Sequence, residues 1–120
     1  MGYRNNLHAL VAGAQLQVLS SRYEGMTMVL LEALALGKPV IANDCPTGPR
    51  EILGDGRLGT LFAIGAVEDE LADAMRRILT DDALRETMKA RALEHVEEYG
   101  IAASNERFAR CVEQLVSAGR

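Results

Sequence analysis

The sequence predicts an α/β fold: a partial Rossmann-like parallel sheet of about three strands, flanked by helices. Three observations predict it. Short apolar runs at 16–20, 39–42 and 58–63 are each bounded by Gly, Pro or small polar residues. The segments beside them carry apolar residues at helical spacing. Their order is strand, helix, strand, loop, strand, helix. Right-handed crossovers then make the strands parallel.

Taken in order, residues 4–13 predict a first helix, with Leu7, Leu10 and Val11 on one face. Leu16 to Ser20 predicts the first strand. The polar stretch Ser21 to Gly25 breaks it, and Met26 or Thr27 opens a helix running to Leu36. Gly37 stops that helix at the position where glycine commonly ends one. Residues 39–42 predict the second strand, with Pro39 at its tolerated first position. Asn43 to Arg50 is a loop, Arg50 to Leu53 one helical turn, and Gly54 to Gly56 a turn before the third strand, Leu58 to Ala63. Residues 68–79 predict a helix with Leu71, Met75, Ile78 and Leu79 together. Asp81 or Asp82 caps the next, which reaches Glu98. A last helix over 103–118 gathers Phe108, Cys111, Val112 and Leu115.

The division expected within residues 1–120 is a 4–63 core and a 68–118 helical part. The first strand has no visible upstream neighbour, so the chain is expected to be truncated at its N-terminus. An exposed apolar edge beside residues 16–20 is expected with it, and self-association is one way to cover such an edge.

Composition narrows the function. At 120 residues with 48% hydrophobic and 25% charged residues, the chain reads as one globular domain. The formal net charge of −4 and the lack of a basic cluster argue against a nucleic-acid surface. Residues 1–60 balance five basic and five acidic side chains, whereas 61–120 carry eight and twelve, so the acidic excess is a solvated helical face. Cys45 and Cys111 form no metal or redox spacing, which fits free thiols in a reducing compartment. The apolar run from Met28 to Leu36 is broken by Glu32 and is too short to span a bilayer. The Ser20-Ser21 pair has no evident His partner for nucleophilic catalysis. His8 and His95 read as surface residues on helices.

Ligands of open parallel sheets bind beyond the carboxyl ends of the strands. The segment after Ser20 is such an end and leads into a helix start, where free N–H groups and the dipole favour a phosphate. Gly25 lets backbone approach a ligand closely. Glu32 is surrounded in sequence by apolar residues, and two readings stand. An ionised carboxylate buried there would lose several kcal/mol, roughly, without a donor such as a ribose diol. Alternatively it faces solvent on a mostly buried helix. Glu24, one turn nearer the ligand, is either an acceptor for sugar hydroxyls or an ordinary loop acid.

The segment SSRYEGMTMVLLEALALGKPVIANDCPTGPREIL resembles the C-terminal domain of family 4 (group 1) GT-B glycosyltransferases. The resemblance rests on Glu24, seven residues, Glu32, then Ala33, Gly37, Pro39 and Val40, followed by Gly48, Glu51, Asp55, Gly56 and Gly59. It covers residues 1–80 well. It implies retaining sugar transfer from a nucleotide-diphosphate donor, without a divalent metal or other cofactor. Glu24, Gly25, Met26 and Thr27 would then meet the donor sugar, Met28 and Val29 the diphosphate, and Glu32 the ribose. Gly48, Arg50 and Glu51 would contribute from the following loop. Met26-Thr27 departs from the family's usual Phe followed by Gly or Pro. The family's diphosphate-clamping Arg and Lys, and its acceptor-binding N-terminal domain, fall outside these residues. The resemblance therefore implies half of a transferase, inactive alone. A split enzyme, a nucleotide-sugar-binding module without transfer, and a packing remnant stand as alternatives. The 46–51 loop resembles bacterial enzymes of surface-polysaccharide assembly, which favours a UDP-sugar and a saccharide or lipid-linked acceptor. The location implied is cytoplasmic, peripheral at the inner face of the membrane when the protein is intact.

Overall fold

A computed structural model describes residues 5–63, 65 and 68–118. The Arg4 end of the first predicted helix and the Leu115 side chain lie outside the described residues.

The elements are α1 (Leu7–Gly13), β1 (Gln17–Leu19), α2 (Met28–Ala35), β2 (Val40–Asn43), α3 (Pro49–Ile52), β3 (Thr60–Phe62), α4 (Glu68–Thr80), α5 (Asp82–Val96), a 3₁₀ turn (Glu97–Tyr99) and α6 (Ile101–Ala118). The strands form one parallel sheet, as predicted, and their order in it is β1-β2-β3. The register places Val18 beside Ile41 and Ala42 beside Leu61.

Alternation along the strands makes two apolar layers. Leu19, Val40, Ala42 and Leu61 face a core with Leu30, Ala33 and Leu34 of α2, Ile52 of α3 and Val11 of α1. Val18, Ile41 and Phe62 face the other way, against Leu71, Met75 and Ile78 of α4. β2 is buried along its whole length, as expected of a central parallel strand. Of the predicted α4 face, Ile78 is buried, Leu71 and Met75 are half-buried, and Leu79 is exposed.

α5 serves both layers. Its first half sends Leu84 and Met88 into the α4 side, and its second half sends Ala92 and Val96 into the α2 side. Its Lys89 lies against Gly37, just before β2. The helix thus crosses the end of the sheet where the strands begin. Gly37 has φ +63°, and a Cβ there would sit 2.9 Å from Lys89 Cγ, so glycine both ends α2 and admits α5.

Several boundaries move. Thr27 is the N-cap of α2, and Met28 is its first residue. β2 starts after Pro39 and gains Asn43. β3 is shorter than the apolar run because Leu53 to Leu58 fold into consecutive hydrogen-bonded turns, with Leu58 N–H on the Leu53 carbonyl. α6 starts two residues early, at Ile101. Its expected apolar side is open among the described residues: Phe108 is 73% exposed and Val112 42%. The helix is tied instead to the turn before it, where Arg107 stacks on Tyr99 at 5.8 Å. β1 is a sheet edge among the described residues, though its side chains are half-buried against the two layers.

Candidate functional site

The carboxyl ends of β1 and β2 release the 20–27 and 44–48 loops side by side, and cross-links join them. Asn43 Nδ2 donates to the Ser21 carbonyl at 2.9 Å, and Cys45 Sγ to the same oxygen at 3.1 Å. Thr47 Oγ1 donates to the Glu24 carbonyl at 2.6 Å. Gly48, at φ +88°, brings the second loop against Gly25. A Cβ on Gly48 would lie 2.2 Å from the Gly25 carbonyl oxygen. From sequence, Asn43 and Thr47 read only as loop residues and Cys45 as a free thiol, with no bracing role for any of the three. The only local signal is their short polar character just after a strand.

These braces hold Glu24 half-buried in front of the start of α2. That start is open. Thr27 makes no side-chain cap, its hydroxyl donating instead to the Gly25 carbonyl at 3.4 Å, and no acidic residue lies in the first turn. The Met28 N–H is already engaged on the Met26 carbonyl at 3.0 Å. The Val29 N–H has no hydrogen-bond acceptor among the described residues. Gly25 has open space where a side chain would project, and Met26 and Met28 are exposed. The face is therefore an accessible, positively polarised helix end.

Glu32 sits one helix face away and is one-third exposed, with its carboxylate 3.8 Å from His8 Nε2 of α1. The burial argument made from its apolar neighbours does not hold, because α1 leaves this side of α2 reachable by water. His8 is well exposed, as expected for a surface residue, whereas His95, expected to be one too, is largely covered, packing edge-on to Tyr99.

Arg50 grips the Asp44 carboxylate in a fork, with Nε on Oδ1 at 2.9 Å and Nη2 on Oδ2, while Nη1 is 3.4 Å from Asp55 Oδ1. The hydrogen bond to Asp44 and its charge hold the guanidinium above its ordinary value. Two carboxylates thus neutralise Arg50 and rigidify the loop. Glu51 is exposed on α3. Burial pushes the Cys45 thiol up, and the negative charges of Glu24 and Asp44 add to it, so Cys45 is a structural thiol. Asn43 Oδ1 is buried at the same sheet end without a hydrogen-bond partner among the described residues.

The parallel sheet with helices on both faces, and loops crossing its carboxyl end, is part of a GT-B fold. The chain belongs to the glycosyl transferases group 1 family, whose model matches residues 1–95. It is 44% identical over 52 residues to a lipopolysaccharide 1,6-galactosyltransferase of Salmonella typhimurium, covering 43% of this chain and 14% of that protein. It is 32% identical over 92 residues to an N-acetylgalactosamine-N,N'-diacetylbacillosaminyl-diphospho-undecaprenol 4-alpha-N-acetylgalactosaminyltransferase of Campylobacter jejuni, covering 77% and 25%. Among solved structures it superposes on WaaG, a glycosyltransferase involved in lipopolysaccharide biosynthesis, with a TM-score of 0.70 and 29% identity, over 78% of this chain and 25% of that one. The chain spans a quarter or less of the length of these relatives. Among the described residues no helix is long and apolar enough to cross a membrane.

Proposed function

We propose that this chain carries the donor half-site of a retaining glycosyltransferase that uses a nucleotide-diphosphate sugar. The observation that carries the reading is the uncapped start of α2, held open by the Asn43, Cys45 and Thr47 braces. A diphosphate fits this end, taking the free Val29 N–H and the helix dipole. Negative charge that develops on the leaving diphosphate is stabilised by the same donors. Glu24 accepts from donor-sugar hydroxyls and Glu32 from the ribose, its partial exposure leaving the carboxylate free to do so. Gly25, Met26 and Thr27 line the sugar side, and Gly48 and Glu51 shape the loop beside it.

A UDP-sugar and a saccharide or lipid-linked acceptor are the proposed substrates. The two bacterial relatives named above, one a lipopolysaccharide galactosyltransferase and one acting on a diphospho-undecaprenol-linked sugar, support the acceptor class. The intact enzyme would act at the cytoplasmic face of the membrane. The chain alone is proposed to be inactive, since Arg50 is neutralised and an acceptor-binding part is needed.

Titration with UDP tests the reading. Calorimetry should show weak binding, and amide resonances of 26–29 should shift. Absence of both at millimolar UDP would remove the donor site. Sugar transfer by the purified chain alone would overturn the inactivity. The edge of β1, unpaired among the described residues, is proposed as an association surface, and sedimentation showing a monomer at all concentrations would count against that.

A further inference from the structure

We propose that Arg57, Arg77 and Arg91 form a second binding site, a cradle for a phosphoryl group, at the end of the sheet opposite the α2 start. Arg57 lies in the turn leading into β3, Arg77 in the last turns of α4, and Arg91 midway along α5. They line one cavity of about 170 Å³, floored by Thr60, Ile78 and Met88. No carboxylate is in its lining. Arg57 and Arg91 also form part of the wall of an adjoining cavity of about 420 Å³ with Glu94, His95 and Glu98.

The pairing pattern separates these arginines from most others. Arg50, Arg76, Arg85 and Arg110 each have a carboxylate within 4.0 Å, and Arg107 stacks on Tyr99. Among the described residues, Arg57, Arg77 and Arg91 have none, and Arg77 and Arg91 make no hydrogen bond to protein. Three arginines without a carboxylate partner among the described residues, Arg57 with its Nε–H on the Gly54 carbonyl, line one concavity and focus a positive potential into it. An anion is drawn to that potential. Guanidinium forks match the oxygens of a phosphoryl group.

The 170 Å³ concavity has room for about five or six waters, which is enough for one phosphoryl group. His95 lies on the adjoining cavity, its Nε2 buried without a hydrogen-bond partner among the described residues and its Nδ1 3.5 Å from Glu98 Oε2.

The same chemistry comes from a soluble phosphate or from a lipid phosphate headgroup, and two probes separate them. Inorganic phosphate is titrated into the ¹⁵N-labelled chain at constant ionic strength, following the arginine Nε–H and the 56–60 amide resonances. Phosphatidylcholine vesicles with and without phosphatidic acid are tested by co-sedimentation. The expected result is saturable shifts at Arg57, Arg77 and Arg91, with affinity about 10-fold weaker in Arg77→Gln and in Arg91→Gln. Both side chains are exposed, and urea unfolding checks that the variants remain folded. Phosphate binding with indifference to vesicles assigns a soluble ligand. Phosphatidic acid-dependent sedimentation lost in the double variant assigns a lipid. No saturable shift at the arginines with either probe overturns the proposal. So does phosphate moving only the 26–29 amides, or binding that the substitutions leave unchanged.

Discussion

Replacing Gly48 with alanine tests whether the two loops are held together as one platform. Gly48 has φ +88° and ψ −81°, a conformation that side chains avoid. Strain of this kind is worth about 1–3 kcal/mol. The new Cβ would also lie 2.2 Å from the Gly25 carbonyl oxygen and 2.9 Å from Thr27 Oγ1. A carbon and a carbonyl oxygen normally approach to about 3.3 Å, so the loops must part by about 1 Å. That movement acts on the 2.6 Å bond from Thr47 to Glu24 and on the residue that caps α2. Together the strain and the lost bond come to about 2–4 kcal/mol. With a urea slope of about 1.5 kcal/mol/M, the midpoint should fall by about 1–3 M. Binding of UDP should weaken at least about 10-fold in the fraction still folded, since a displacement of 1 Å ruins donor geometry. Fluorescent-nucleotide displacement below the unfolding transition gives the second number. A variant within about 0.5 kcal/mol of the parent, with unchanged affinity, would refute the platform argument.

Other substitutions probe separate parts of the molecule. Glu32→Ala should change urea stability by less than about 0.5 kcal/mol, because its contact with His8 is exposed, yet weaken UDP binding clearly; equal losses in both assays would make Glu32 structural. Asp81→Ala removes the 2.9 Å cap to the Leu84 N–H and should lower stability by about 1 kcal/mol, read from the same urea curves. Cys111 is exposed and should react quickly with a thiol reagent, whereas Cys45 should react only after unfolding; prompt titration of two thiols in the folded chain would contradict its burial. The Cys45 thiol is raised in the folded state, so its contribution is complete below the unfolded thiol pKa and is lost as pH rises through the folded value. A Cys45→Ser variant should therefore lose the part of the alkaline stability decline that this thiol causes.

Much of the fold was legible because apolar pattern and punctuation agreed. The three strands, the α2 helix and the Gly37 stop follow from local chemistry, and the ordered string from Glu24 to Gly59 led to the family. What was not legible depended on distant partners. Asn43 belongs to β2, and its side chain meets Ser21, a residue twenty-two positions away. Thr47 looked like a loop residue until it met the Glu24 backbone, twenty-three positions away. The exposure of Glu32 depends on where α1 packs, and periodicity in α2 does not report that. Arg50 carried the expected charge, but Asp44 and Asp55 had already claimed it.

The path of α5 beneath the sheet has a consequence for how the chain is made. Leu84 and Met88 complete one apolar layer and Ala92 and Val96 the other. During synthesis, at about 5–20 residues per second, both apolar layers stay incomplete until this late helix leaves the ribosome. The nascent sheet therefore waits on residues that contribute no strand, and a chain halted just before Leu84 would leave an apolar gap in each layer at once.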